Sequence, residues 1–111
     1  MARGTKDPKT KSTYRYIVRT PGILGGESRL EGHRIRVRDI VAARDFGGCT
    51  PEEIAGTVYP QLTLAQVYCA LAYYEDHRKE IDRAIRDEAR FIEEFKKRHP
   101  NLVRDLRSNR G

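Results

Sequence analysis

The residues of this 111-residue chain whose types could carry chemistry are three histidines, two cysteines and a glycine-rich segment. Acid–base or nucleophilic catalysis needs titratable groups that converge on one pocket. His33, His77 and His99 stand far apart in sequence, each among charges, and read as exposed polar side chains. Cys49 and Cys69 make no C-x-x-C pair and have no histidine at metal-ligand spacing. They read as reduced thiols, with Cys69 a small filler beside an apolar helical stripe. Gly22, Gly25 and Gly26 lack the Lys and Ser/Thr of a phosphate-binding loop, and no helix opens directly after them, so they read as turn-makers. The acids of residues 75–94 alternate with Arg and Lys. Glu75–Lys79 and Asp82–Arg86 are favourable neighbours at helical spacing, and Arg86–Arg90 is a repulsive pair. Such a pattern describes a solvated face. The sequence therefore predicts no catalytic residue, no cofactor and no metal ligand, and a binding protein rather than an enzyme.

Charge says more about what is bound. The net charge is +6, and 34% of the residues are charged. Residues 1–20 carry +5, residues 21–51 carry +1, residues 52–95 carry −5 and residues 96–111 carry +5. Basic ends flank an acidic middle. Basic arms suit a polyanion such as nucleic acid, and they equally serve as solvated tails. The cations placed to meet DNA phosphates are Lys9, Lys11, Arg15, Arg29, Arg34, Arg36 and Arg38. Thr63, Gln66, Tyr68 and Tyr73 mark the start of a helix that could reach base edges, and Gln66 has the amide that bonds adenine. Residues 50–74 hold no Lys or Arg at all. Phosphate neutralisation supplies most DNA affinity, so that helix alone would bind poorly.

These side chains must be held by a small set of elements. Residues 1–13 are aperiodic and polar and read as a flexible basic arm. Tyr14 to Arg19 alternate as a short strand, stopped by Thr20-Pro21-Gly22. Ser28-Arg29-Leu30 is a second short strand, and the pair needs a helix or a further strand to lie on. From Ile35 the period becomes helical, with Val37, Ile40, Val41 and Ala43 to Phe46 as the apolar face and Gly47-Gly48 as the stop. Thr50 opens a second helix with a capping hydroxyl, Pro51 at the first helical position and Glu53 to complete a capping box. Ile54, Ala55 and Val58 form its buried face, and Tyr59-Pro60 ends it. Thr63 with Gln66 opens a third helix, whose stripe is Val67, Ala70, Leu71 and Tyr74. The helical pattern then runs unbroken to Arg98, as one long helix or as two with a bend near His77, and His99-Pro100 stops it. Leu102, Val103 and Leu106 form a further short helix or stay without structure. The expected fold is mainly α: a short N-terminal β-hairpin or ribbon, a tri-helical helix-turn-helix-like core, and a long C-terminal helix.

The run Tyr16-Ile-Val-Arg-Thr-Pro-Gly-Ile-Leu-Gly-Gly26 and then Leu30-Glu-Gly-His-Arg-Ile-Arg-Val37 resembles the opening of the bacterial family catalogued as domain of unknown function 433. Thr50-Pro-Glu-Glu-Ile54, Tyr59-Pro-Gln-Leu-Thr-Leu64, Val67 and Ala70-Leu-Ala-Tyr-Tyr74 continue the resemblance, in order and at matching spacing. It covers roughly residues 16–82. His33 departs from it, standing where the family usually has Thr or Ser. The long helix after Tyr74 and the basic tail after Pro100 lie outside the family core. The resemblance implies a homeodomain-like helix-turn-helix after a short β element, and an antitoxin paired with a PIN-like ribonuclease toxin.

The expectation is then the antitoxin of a type II toxin–antitoxin pair, a homodimer that neutralises its toxin and represses its own operon through operator DNA. The alternative is a stand-alone DNA-associated or scaffold protein with no toxin. The expected layout is an arm at residues 1–13, the family domain at 14–80, and a partner-binding extension at 81–111. Toxin contact falls to the stripe Ile81, Ile85, Phe91, Ile92 and Phe95 and to Arg104 and Arg107 in the basic tail, because a helix projecting past a small core cannot bury its own apolar face. Residues 1–20 carry charges and tyrosines where a signal peptide needs an apolar stretch, and no run is long enough to span a bilayer, which predicts a cytoplasmic location.

Overall fold

In the computed structural model the chain is described at residues 10, 11 and 13–100, with side chains from residue 13 onward. Three short strands make one antiparallel sheet in the order β1-β2-β3. They are β1 (Thr10–Lys11), β2 (Ile17–Arg19) and β3 (Arg29–Leu30). Ile17 lies opposite Leu30 and Val18 opposite Arg29, while on the other edge Thr10 lies opposite Arg19. Thr10 and Lys11, read from sequence as part of the arm, thus serve as the third strand. The central strand starts later than its alternation suggests, because Tyr14 to Tyr16 form a turn in which the Ile17 N–H donates to the Tyr14 carbonyl at 3.2 Å. Ile17 and Val18 are both fully buried. That strand is covered on both faces, not on one as alternation would have it.

Between β2 and β3 the chain makes a tight helical turn at Leu24–Gly26. Leu24, Gly25 and Gly26 have φ of 51°, 67° and 79°. Two of the three are glycine because a Cβ disfavours this left-handed region.

Four helices follow. α1 (Val37–Asp45) starts where the Asp39 carboxylate accepts the Arg36 N–H at 2.9 Å, and it buries Val37, Ile40 and Val41. It ends at Gly47 and Gly48. A Cβ on Gly47 would sit 2.7 Å from the Ala43 carbonyl oxygen, and Gly48 takes φ 70°. Phe46 is 75% exposed, contrary to its assignment to the apolar face. It stands five residues past Val41, about 140° round the helix, which turns it away from the core.

α2 (Pro51–Glu53) opens with the reciprocal cap its sequence announces. The Thr50 hydroxyl accepts the Glu53 N–H at 3.1 Å, and the Glu53 carboxylate accepts the Thr50 N–H at 2.9 Å. The helix continues as a single wide π turn over Ile54–Val58. Ile54 is fully buried, whereas Val58, at the end of the wide turn, is 39% exposed. α3 (Leu64–Asp76) repeats the same cap with Thr63 and Gln66, and its buried residues are Val67, Ala70, Leu71, Tyr73 and Tyr74.

His77 divides the long helical segment into two. Its backbone sits at φ −131°, ψ 35°. Its Nδ1 lies 2.9 Å from the Tyr73 carbonyl oxygen, the acceptor an unbroken helix would give to the His77 N–H. That N–H bonds Tyr74 instead, at 3.0 Å. α4 (Arg78–Arg98) begins after this break.

One apolar cluster joins every layer: Ile17 and Leu30 from the sheet, Ile40 and Val41 from α1, Ile54 from the π turn that follows α2, Val67 and Leu71 from α3, and Ile81 from α4. No helix among the described residues is long and apolar enough to cross a membrane.

Candidate interaction surface

The arginines expected to meet DNA divide sharply once folded. Arg29 is 8% exposed. Its guanidinium donates to the Thr20 hydroxyl at 2.9 Å and to the His33 carbonyl at 3.0 Å, and its buried Nε finds no partner. Arg36 donates twice to the Asp39 carboxylate, at 3.1 and 2.9 Å, and lies 3.8 Å from Glu27. The hydrogen bond to Asp39 raises the Arg36 pKa above its already high ordinary value, so its charge is permanent and locally matched. Arg38 has a side chain only 13% exposed, 3.0 Å from Glu27 and 2.6 Å from Glu88. All three are engaged in bonds within the chain, so in this fold they are less free to meet phosphates than Arg15 and Arg34. Arg15 and Arg34 are exposed. Arg15 lies over the Tyr16 ring, 5.2 Å from its centre. Lys9, Arg104 and Arg107 and the side chain of Lys11 lie outside the described residues.

The start of α3 is likewise committed. Gln66 lends its side-chain oxygen to the Thr63 N–H at 2.7 Å, and the exposed Thr63 lends its hydroxyl to the Gln66 N–H at 3.1 Å. Tyr73 is 4% exposed, its ring edge-on to Tyr14 and stacked 3.9 Å from His77, so it is core and not a base reader. Tyr68 is 49% exposed, and its hydroxyl donates to Glu52 at 3.3 Å.

The strongest unmatched surface lies on α4. The first half of that helix is tied down. Arg19 pairs with Glu80, and the Tyr74 hydroxyl donates to Asp82 at 2.7 Å. Arg38 donates to the Ala84 carbonyl at 3.0 Å besides its two ion pairs. Burial, then the hydrogen bond to Asp82, pushes the Tyr74 hydroxyl pKa upward. Ile81 is 3% exposed and Ile85 packs against the core. Both were expected to face a partner, and both instead hold the helix on the domain.

Beyond Glu88 the same stripe continues with nothing of the core beneath it. Phe91 is 66% exposed and Ile92 43%. Phe95 is half-buried between Phe91, at 6.4 Å between ring centres, and His99, at 4.6 Å. Lys96, Lys97 and Arg98 follow in the last turn. Among the described residues no group of three or more His, Cys, Asp or Glu is placed to hold a metal ion. Two shallow hollows lie among the described residues. One is lined by Gly47, Gly48, Cys49, Glu53, Thr57 and Val58, and its acid is already the α2 cap. The other is lined by Arg19, Pro21, Gly22, Gly25 and Gly26, and its cation is paired with Glu80. Sequence reasoning missed the exposed Phe46, Val58 and Leu64. Leu64 offered a signal, because it precedes the α3 stripe and stands beside the cap.

Comparison with known proteins agrees with this fold. The model of a family described as a protein of unknown function, DUF433, matches residues 17–74. A solved structure of a DUF433 member protein from Anabaena variabilis is similar, at 38% sequence identity and a TM-score of 0.58, over 63% of this chain and 67% of that one. No curated protein matches the chain.

Proposed function

This chain belongs to the DUF433 family, and we propose that it is a non-enzymatic binding protein, the antitoxin of a type II toxin–antitoxin pair that neutralises a PIN-like ribonuclease. The observation that carries the reading is the exposed end of α4, where Phe91 and Ile92 stand clear of the core on a helix whose base is fixed by Arg38. Aromatic and aliphatic side chains presented by a rigid helix are the usual anchors for a groove in a partner protein. Lys96, Lys97 and Arg98 beside them suit an acidic surface such as the carboxylates of a nuclease active site. The allocation of Arg29, Arg36 and Arg38 to internal bonds favours a protein partner over DNA. Repression of an operon would fall to Arg15 and Arg34 together with the basic arm.

Co-expression with the product of the adjacent gene tests the reading. The wild-type chain should capture that product and restore growth. The double substitution F91S/I92S should lose both properties without changing the thermal melt, since neither side chain is in the core. Equal capture and rescue by the double variant would sink the proposal, and so would a neighbouring frame that encodes no nuclease of this kind.

A further inference from the structure

We propose that the solvent side of α4 binds the phosphate backbone of duplex DNA through a row of cations, Lys79, Arg83, Arg86 and Arg90. The row follows from helical geometry. At about 100° and about 1.5 Å per residue, these side chains fall within an arc of about 60° and along about 16 Å of the helix axis. All of them are exposed. Ile81 and Ile85, which hold the helix on the core, lie on its opposite side.

The row is left without counter-charges because the acids around it are used elsewhere. Helical spacing favours Glu75 with Lys79 and Asp82 with Arg86. Neither pair forms. The Arg78 guanidinium donates to Glu75 at 2.8 Å, and the Tyr74 hydroxyl donates to Asp82 at 2.7 Å. Glu80 pairs with Arg19, and Glu88 with Arg38. Among the described residues Lys79, Arg83 and Arg86 have no ion-pair partner. Arg90 lies 3.6 Å from Asp87 with both side chains largely exposed, and such a pair is weak enough to give way to a phosphate. The row ends where Glu93 and Glu94 begin.

The chemistry of the row selects the partner. No apolar or aromatic side chain falls within its arc. It therefore lacks the anchors of a protein interface and the stacking platform of a single-strand binder. The guanidinium groups of Arg83, Arg86 and Arg90 each match a phosphate with two parallel hydrogen bonds. Cations about 4.5–6 Å apart along a straight rod suit a partner whose charge repeats as regularly, and duplex DNA carries one negative charge per about 1.7 Å of its axis. Contacts of this kind position a protein on DNA without reading its sequence. The row faces away from Ile92 and Phe95, so DNA and a protein partner can be held together. The row stands whether or not that partner is the proposed nuclease.

Fluorescence anisotropy of the full chain with a short labelled duplex of arbitrary sequence, over a range of salt, measures it. Affinity should fall linearly with salt on logarithmic axes. R83Q/R86Q removes two exposed cations that hold no ion pair, so the melt should not change. It should lower the salt slope by about two and the affinity about tenfold or more at about 50 mM salt. K96Q/R98Q makes the same change in net charge off the row and should lower the slope by roughly half as much or less. F91S/I92S leaves the row intact and should bind DNA as the wild type does, which separates this site from the proposed toxin face. Absence of duplex binding at low salt, a slope unchanged by R83Q/R86Q, an equal loss in K96Q/R98Q, or tighter binding to the single strand than to the duplex would each overturn the proposal.

Discussion

Arg38 fixes the direction in which α4 leaves the domain, and its removal should be felt well beyond its own position. Its guanidinium reaches Glu27 at 3.0 Å, Glu88 at 2.6 Å and the Ala84 carbonyl at 3.0 Å, so one side chain joins the loop before β3, α1 and α4. A fully buried ion pair that loses one partner costs about 3–5 kcal/mol, because the other charge is stranded. Here the stranded groups would be Glu27 and Glu88, whose side chains are 33% and 47% exposed, and water can recover both. The electrostatic loss should then be nearer the exposed-pair value, roughly 0.5–1 kcal/mol for each acid. Losing the packed stem adds about 1 kcal/mol, and removing the unpartnered buried Nε gives a little back. Arg38→Ala should thus cost about 2 kcal/mol, which lowers the melting temperature of a domain this size by roughly 10 °C. Arg38→Met keeps the stem and should lose about half as much. Hydrogen exchange should show the amides of α4 after Ile81 opening more readily while those of α3 keep their protection. A melt within a degree or two of wild type, or equal loss of protection in α3 and α4, would refute the assignment of Arg38 as the fastener of this helix.

The other predictions concern the caps, the buried arginine and alkaline pH. Thr50→Ala removes the acceptor of the Glu53 N–H and should cost about 1 kcal/mol in a denaturant melt. Gly47→Ala forces a Cβ to within 2.7 Å of the Ala43 carbonyl and should cost at least as much, on the order of 1–3 kcal/mol, by urea unfolding. Arg29→Ala should lower stability by about 2 kcal/mol through the loss of its bonds to Thr20 and His33, while the salt dependence of any DNA binding, measured by fluorescence anisotropy, stays as in wild type. The Tyr74 hydroxyl is raised above its ordinary value of 10.0 by burial and by its bond to Asp82. The unfolded chain therefore ionises first, and this contribution is fully present below that pH and is lost as pH rises towards the folded value. Tyr74→Phe should show a shallower alkaline loss of stability in melts taken on either side of that pH.

The local signals were legible because their chemistry spans three or four residues. Thr50 with Glu53 and Thr63 with Gln66 form the boxes their spacing announces, Gly47-Gly48 and Tyr59-Pro60 stop the helices they follow, and the stripe Val67, Ala70, Leu71, Tyr74 is buried. The mainly helical fold with a small N-terminal sheet follows from such signals, and so does family membership, because a motif in order is a property of the chain alone. Where each charge goes was not legible. Arg38 and Glu88 are fifty residues apart, and only packing α1 against α4 brings them to 2.6 Å. Arg29 looks like any surface cation until β3 pairs with β2 and encloses it beside Thr20. The α4 stripe reads as one continuous face, yet the core lies under Ile81 and Ile85 and runs out before Phe91. Sequence periodicity sets which side chains share a face; the length of the body that face lies on decides which of them remain for a partner.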